Sequence, residues 1–504
     1  MTVKKIPYEL ELRQELPEII GNHDYQEFKN QLFSIETLIS EMELDETIID
    51  YVLKQKQEEQ KEKAKKNKNL KPKLSSAARI KIEKKCRVAL RCVIARKLLE
   101  ETYRGMSCRL ADSPLLQHFC LLNIFDTKVK IASKSELKRY EQLVPEEVVR
   151  QAVIRMIARG ITASEQMNLL EPLTLDEIYY DTTCVLTNIH FPVDWVLLRD
   201  AVRTLIKAII LVRKSGLKNR MNAPKGFIKS MNNLSIKMTN CRRIKQAKKK
   251  RKAILRLMKK LTKKVEQHAR KHLELLKNYW SETNLTEGRT NQIIVRIKKI
   301  LKNVPAAIKQ AHERIIGERH VKNKEKLLSL YETDTNVIVR GKASAEVEFG
   351  NKLIIGEINC GLIVDWELIR EGSPADTKLF KEGLGRIEKN YDGIATVKKV
   401  VGDRGFPSKE IENYLADKNI ENYICPRSVL ELRKQLKNEA FCYYQNRRSQ
   451  TEGRIGILKN NFFGTALRSK GFESRELHVA WGILVHNLWV IARLPKSVAL
   501  KEAA

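Results

Sequence analysis

Three acidic residues stand where a chain could use them for chemistry. Asp181 lies in YYDTT, inside a short run rich in β-branched and aromatic residues that reads as a strand. Asp403 closes the apolar run KKVVGDRGF, where Gly402 and Gly405 permit a tight exit from a strand. Glu452 lies in QNRRSQTEGRIGILKNNF, which reads as helix. Carboxylates at strand ends face the crevice in which open sheets bind ligands, and a helix beside the sheet can bring a third. Three converging carboxylates suit a pair of divalent ions, because hard cations take oxygen ligands and substrate phosphates complete their coordination. Two ions roughly 3.5–4 Å apart can activate an attacking oxygen and stabilise a departing one.

A lone Asp at a strand end is more often structural than catalytic, so the neighbours of Glu452 matter. Arg448 precedes it by one helical turn and Lys459 follows by two, which places all three near one face. That spacing lets the acid hold metal while Arg448 and Lys459 meet a scissile phosphate. A surface salt-bridge ladder has the same spacing.

The elements that must position these residues are readable in outline. Residues 1–53 read as helical, and 54–73 (KQKQEEQKEKAKKNKNLKPK) have almost no apolar side chains, as in a solvated helix or linker. Amphipathic helices resume over 75–160. Strand texture appears at 173–187, gives way to basic helices from 194 to about 331, and returns at 336–343 and 348–369. Helix (375–393), strand (396–406), helix (408–419) and strand (420–427) follow, and a long helical region closes the chain. The first strand is thus far from the rest. The boundaries expected are an acidic arm and linker (1–74), a helical region (75–172), a first core segment (173–195), a basic helical insertion (196–334) and the remaining core with its C-terminal helices (335–504).

The charge points to a polyanion. The 504 residues hold 95 Lys+Arg against 61 Asp+Glu, a net of +34 with pI near 9.7. Residues 1–50 run the other way, with four Lys/Arg and twelve Asp/Glu. Residues 241–264 carry thirteen Lys/Arg, among them Lys248, Lys249, Lys250, Arg251 and Lys252, on a helix that keeps a partial apolar stripe. This helix is the best electrostatic candidate for double-stranded DNA, whose phosphates release counterions when neutralised. Arg340 and Lys342, flanking Gly341, are candidate phosphate contacts nearer the core, and the helices of 75–160 are candidates for base reading.

Other features argue for less. His268 and His272 lack the glutamate of a zinc-protease helix and read as surface or DNA-facing. Trp481, Trp489, His486 and Asn487 read as packed. The nine cysteines lack paired spacing, as in a chain with reduced thiols. No apolar run reaches the roughly 18–20 residues of a membrane span, and no secretory leader is evident. A cytoplasmic, nucleoid-associated protein is the expectation.

The order YYDTT…GDRGF…RxxxExxxxxxK resembles that of bacterial insertion-sequence transposases with a DDE triad. TNIHFPVD (187–194), RGKASAEVEFG (340–350) and GSPADTKLF (372–380) are also similar to that family, as is ETYRGMSCRLADSPLLQHF (101–119) to its N-terminal region. The resemblance implies an α/β RNase H-like catalytic core, preceded by a helical DNA-binding region and interrupted by the basic insertion. It implies Asp181, Asp403 and Glu452 as ligands of two Mg2+ or Mn2+ ions, cleavage at transposon ends, strand transfer into target DNA, and a dimer on DNA. Two features depart from the pattern. The tyrosine expected three residues before the arginine is Gln445, with Tyr444 one position off. The insertion follows the first strand, since 222 residues separate Asp181 from Asp403 and only 49 separate Asp403 from Glu452. A non-catalytic DNA-binding descendant, or a metal-dependent nuclease of the same fold, would share these residues.

Overall fold

The computed structural model describes residues 16–67, 69–122, 129–164, 169–241, 246–342, 345–464 and 467–495. Among the described residues, seven α-helices precede the first strand: α1 (His23–Glu41), α2 (Leu44–Lys66), α3 (Ser76–Leu98), α4 (Tyr103–Asp112), α5 (Pro114–Phe119), α6 (Lys134–Glu141) and α7 (Glu146–Thr162). Local chemistry starts several of them. Ser75 caps α3, and Ser133 with Glu136 forms a reciprocal capping box on α6. The low-apolar stretch after residue 54 continues α2 as an exposed helix to Lys66.

After β1 (Glu177–Leu186) come four helices, α8 (Asp194–Lys214), α9 (Pro224–Asn240), α10 (Ala247–Tyr279) and α11 (Glu287–Ala311). Their apolar stripes meet one another rather than the sheet, and they bury a core of their own that includes Leu198, Leu205, Leu255, Val265, Ile297 and Val304. His272 lies in that packing with no exposed surface, so the surface or DNA-facing placement expected for it is corrected. The helix turns its apolar stripe inward at residues 255, 258, 262, 265, 269, 272 and 276, and His272 falls on that stripe.

The remaining strands are β2 (Asn336–Lys342), β3 (Ala345–Glu357), β4 (Ile363–Leu368), β5 (Lys399–Gly402) and β6 (Glu421–Ile424). Between and after them come α12 (Asp376–Asn390), α13 (Lys409–Asp417), α14 (Val429–Gln435), α15 (Glu439–Ile457) and α16 (Phe472–Ile491). β1 is central. It pairs antiparallel with β3 on one side and parallel with β5 on the other, and β6 extends the parallel side. β2 and β4 both pair antiparallel with β3 along the edge facing away from β1. The result is a mixed α/β sheet whose first strand comes from far upstream.

β1 is buried along nearly its whole length, as a strand covered on both faces must be. On one face Tyr180 meets Phe380 of α12, and Asp365 receives both donors of Arg386 at 2.7 Å. On the other, Tyr179 and Val401 pack against Tyr444 of α15. The N-terminal helices, the sheet and α16 share one apolar core. Trp481 and Leu488 lie in it, and buried Asn487 pairs both ways with the backbone of Ile363.

Candidate active site

Strand register brings the two aspartates together. In the parallel β1–β5 pair, Tyr179 opposes Val401 and Tyr180 opposes Gly402. Asp181 and Asp403 are each the next residue, so they stand at the same height, Asp181 within β1 and Asp403 just past the end of β5. Side chains alternate along a strand, and Tyr179 and Val401 face α15. Asp181 therefore stands one step beyond Tyr179 on the α15 face.

Asp181 is only 8% exposed, and its Oδ1 accepts the Thr182 amide at 2.6 Å. Burial pushes its carboxyl up to about 6, and the neighbouring charge of Asp403 adds to this. The Thr182 N–H and the Arg448 guanidinium oppose the shift, while Glu452 adds to it. Asp403 sits in a turn in which its Oδ1 accepts the Gly405 amide at 2.7 Å. That turn needs glycine at 405: a Cβ there would lie 2.8 Å from Asp376 Oδ2 and 2.9 Å from Asp403 Oδ1. These two carboxylates bracket the Gly405 backbone.

Glu452 arrives from α15. Its side chain is 63% exposed and pairs with Arg448 Nη1 at 3.4 Å. An exposed pair of this kind contributes about 0.3–0.5 kcal/mol and is easily exchanged for another partner. Arg448 also donates to Gln445 Oε1, and Gln445 in turn donates to the Gly402 and Tyr423 carbonyls. Gln445, at the position expected for tyrosine, thus ties α15 to the end of β5. Tyr444 points under the sheet, where its hydroxyl accepts from Lys399 and donates to Glu177.

The α-helix that carries Arg448 and Glu452 ends at Ile457 and continues as a π-turn over Leu458–Phe463. Lys459 falls on that wider turn and is half-buried, not on an unbroken α-helical face. Arg340 and Lys342 belong to β2 by their backbone, and their side chains lie outside the described residues. In α10, Lys248 and Lys252 reach Glu318 at 3.7 and 2.8 Å, while Lys249 and Lys250 are exposed and Arg251 is half-exposed.

Glu357 also belongs to the site, although its spacing in the sequence does not single it out. It has no exposed surface, and it accepts from Arg447 Nη1 at 3.0 Å and from Thr451 Oγ1 at 2.8 Å. Arg447 also lies over the Tyr179 ring at 4.6 Å and donates to the carbonyls of Ile358 and Asn359. Glu357 is thus the buried post against which α15 is set. The signal available was an acid inside the apolar run KLIIGEINCGLIV, where an unpaired charge would be costly. Lys352, in the same apolar run, is a second buried charge of this kind. It is 7% exposed and holds the start of α12 through Pro374 O at 2.8 Å and Asp376 Oδ1 at 2.7 Å.

Among the described residues, no three His, Cys, Asp or Glu side chains are drawn around one point closely enough to hold an ion. Asp403 and Glu452 are near enough for their charges to act on the carboxyl of Asp181, and Glu452 is turned to Arg448. An oxygen-only donor set with a buried carboxylate among like charges fits a hard divalent cation, which would relieve that repulsion.

A pH effect follows from Asp181. Its folded pKa lies above its unfolded value, so the fold binds the proton more tightly and loses stability as pH rises from about 4 to 6. Above that window the ionised carboxylate costs roughly 2–3 kcal/mol. Asp181→Asn, melted without divalent metal, is expected to raise Tm at pH 7.5 and leave it unchanged at pH 3.5. Equal melting of the two proteins at pH 7.5 would remove this reading of Asp181.

Together, a mixed sheet, Asp181 on its central strand, Asp403 just past the end of the neighbouring strand and Glu452 on a flanking helix define a mixed α/β protein in which two acids act on the buried carboxyl of a third. Residues 359–488 match the family model described as the transposase DDE domain, consistent with an insertion-sequence DDE transposase. The matched stretch contains Asp403, Arg448, Glu452 and Lys459 and begins after Asp181. No curated protein and no solved structure matches the chain. Among the described residues, no helix is long and apolar enough to cross a membrane.

Proposed function

We propose that the chain is a DDE transposase that cleaves double-stranded DNA at transposon ends and transfers the freed strand into target DNA. The observation that carries this is the position of Asp181 and Asp403, each one residue past the last registered pair of two adjacent parallel strands, with Glu452 supplied by the helix over that face. The sheet order β4–β3–β1–β5–β6, with β3 alone antiparallel to its neighbours, supports an RNase H-like core.

In this reading Asp181, Asp403 and Glu452 hold two Mg2+ or Mn2+ ions, which when bound supply an activated attacking oxygen and a stabilised leaving oxygen. Asp181 is fixed within the central strand and Asp403 by the turn that ends β5, and the Thr182 and Gly405 amides orient their carboxyls. Glu452 must leave Arg448 to join them, which frees Arg448 for a phosphate. Arg447 and Thr451, seated on Glu357, keep α15 in register during that exchange. Lys459, the exposed cations of α10 and the helices of 75–172 contribute DNA contacts, and two chains bring the two ends together.

The test uses the full chain with Mg2+ or Mn2+ and duplex DNA from both flanks of its reading frame. Cleavage with a joined product supports the proposal, and chelation of the metal should abolish both. Cleavage without joining identifies a nuclease, and binding without cleavage a non-catalytic descendant.

A further inference from the structure

A cleft of about 660 Å³ opens between the basic insertion and the segments that join it to the sheet, and none of the three acids lines it. Its walls come from α8, from α11, from the segment leaving β1, from the segment that holds Leu328 and Glu332, and from residues 468–471. On α8, Arg199, Arg203 and Lys207 recur every fourth residue, opposite the apolar stripe of Leu198, Leu205 and Ile209. Arg296 and Lys299 face them from α11, and Arg468 and Lys470 close the third side.

The carboxylates in this cleft are already engaged. Asp200 pairs with Arg199 at 3.3 Å, and Glu332 is held by buried Arg475 and by the Gly471 amide at 2.9 Å. Arg203, Lys207, Arg296, Arg468 and Lys470 pair with no carboxylate among the described residues. A second cleft of about 690 Å³ shares the rim Arg468, Ser469 and Lys470 but differs in kind. There Arg96 is bonded to Glu141 at 2.7 Å, and Lys97 is taken up by two backbone carbonyls. The first cleft has the uncompensated charge.

Its position links it to the acids. β1 carries Asp181 and runs on for five residues to Leu186, where the Leu467 amide donates to the Leu186 carbonyl at 3.0 Å. At about 3.3 Å per residue, Leu186 lies roughly 17 Å beyond Asp181, or about five base pairs of duplex at 3.4 Å each, and the cleft lining begins two residues further on, at Asn188. Phe191, 76% exposed and edge-on to Phe349 at 5.5 Å, gives the entrance an apolar lip that suits deoxyribose rings.

We infer that this cleft between α8, α11 and residues 468–471 is a DNA-binding site. It holds the sugar-phosphate backbone of a duplex whose neighbouring segment lies over the three acids. The inference rests on the transposase reading and adds a surface distinct from the basic run at 248–252. Phosphate contacts of this kind fix position and carry no base preference.

The test measures binding of a fluorescein-labelled 40-base-pair DNA duplex by anisotropy at several salt concentrations, with the full chain. The triple variant Arg203→Ala, Arg296→Ala, Arg468→Ala is expected to bind at least tenfold more weakly. Its log–log salt slope should be shallower by about 2–3, since each lost phosphate contact removes about 0.9. The corresponding Arg→Lys triple should keep most of both, which separates lost charge from lost folding. Wild-type affinity and slope in the alanine triple would overturn the inference while leaving the cleavage test intact. Equal binding of a matched RNA duplex, with the same dependence on the three arginines, would overturn the assignment to DNA. A wild-type chain that binds no duplex would instead remove the transposase reading.

Discussion

Asp403→Ala is expected to reduce cleavage of transposon-end DNA by about 10³-fold or more, with duplex affinity within threefold of wild type. A thousandfold loss corresponds to ~4 kcal/mol of transition-state stabilisation, in line with the several kcal/mol that a bound metal ion supplies to developing charge. Asp403 stands beside Asp181 because their strands are in parallel register, and its Oδ1 is fixed by the Gly405 amide. Removing it deletes a proposed metal ligand and relieves like charge on buried Asp181. The two consequences have opposite signs. The variant should melt no lower than wild type in the absence of metal and should lose the stabilisation that Mg2+ confers. Full cleavage by Asp403→Ala, measured on end-labelled duplex, would remove this residue from the proposed triad.

The second large effect concerns a residue that touches no substrate in the proposed mechanism. Glu357→Ala leaves Arg447 and Thr451 without their buried acceptor. Truncating one partner of a buried ion pair typically costs about 3–5 kcal/mol. At roughly 2–4 °C per kcal/mol for a unit of 150–250 residues, Tm should fall by about 6–20 °C. Glu357→Gln keeps an acceptor for Thr451 and should fall less. Cleavage should drop further than stability alone accounts for at 25 °C, because α15 carries Arg448 and Glu452 on the same stretch as Arg447 and Thr451. A Glu357→Ala protein that melts and cleaves like wild type would show that α15 needs no such post.

Much of this sheet is legible because it is local. The apolar runs before Asp403 and around Ile354 and Ile363 carry their own strand signal, and β5, β3 and β4 form there. The motif around Glu452 likewise announces a helix, and α15 covers it. What the sequence could not show is pairing across distance. Nothing near Asp181 says that β1 will lie between β3 and β5, so its proximity to Asp403 emerges only from the register. Buried charge is illegible for the same reason: Glu357 and Lys352 look like misplaced polar residues until Arg447, Thr451 and Asp376 arrive from elsewhere. The π-turn at Lys459 is a third case, since the helical spacing of Arg448, Glu452 and Lys459 gives no warning that α-winding stops at Ile457. His272 shows the reverse error, because the apolar stripe read for this helix does not by itself announce that a histidine among lysines and arginines falls on its buried side.

The long interruption of the sheet also has a consequence in time. β1 is complete at residue 186, and its first partner, β3, does not begin until residue 345. At about 5–20 residues per second of synthesis, β1 waits roughly 8–30 s with both hydrogen-bonding edges open and with Tyr179 and Tyr180 uncovered. The four helices made meanwhile have a core of their own to collapse upon. The nascent chain therefore passes through a stage with a folded cationic module beside an unpaired aromatic strand. Such a strand invites association with other chains, and slow synthesis or crowded ribosomes should lower the yield of this protein more than that of one whose sheet is built from consecutive strands.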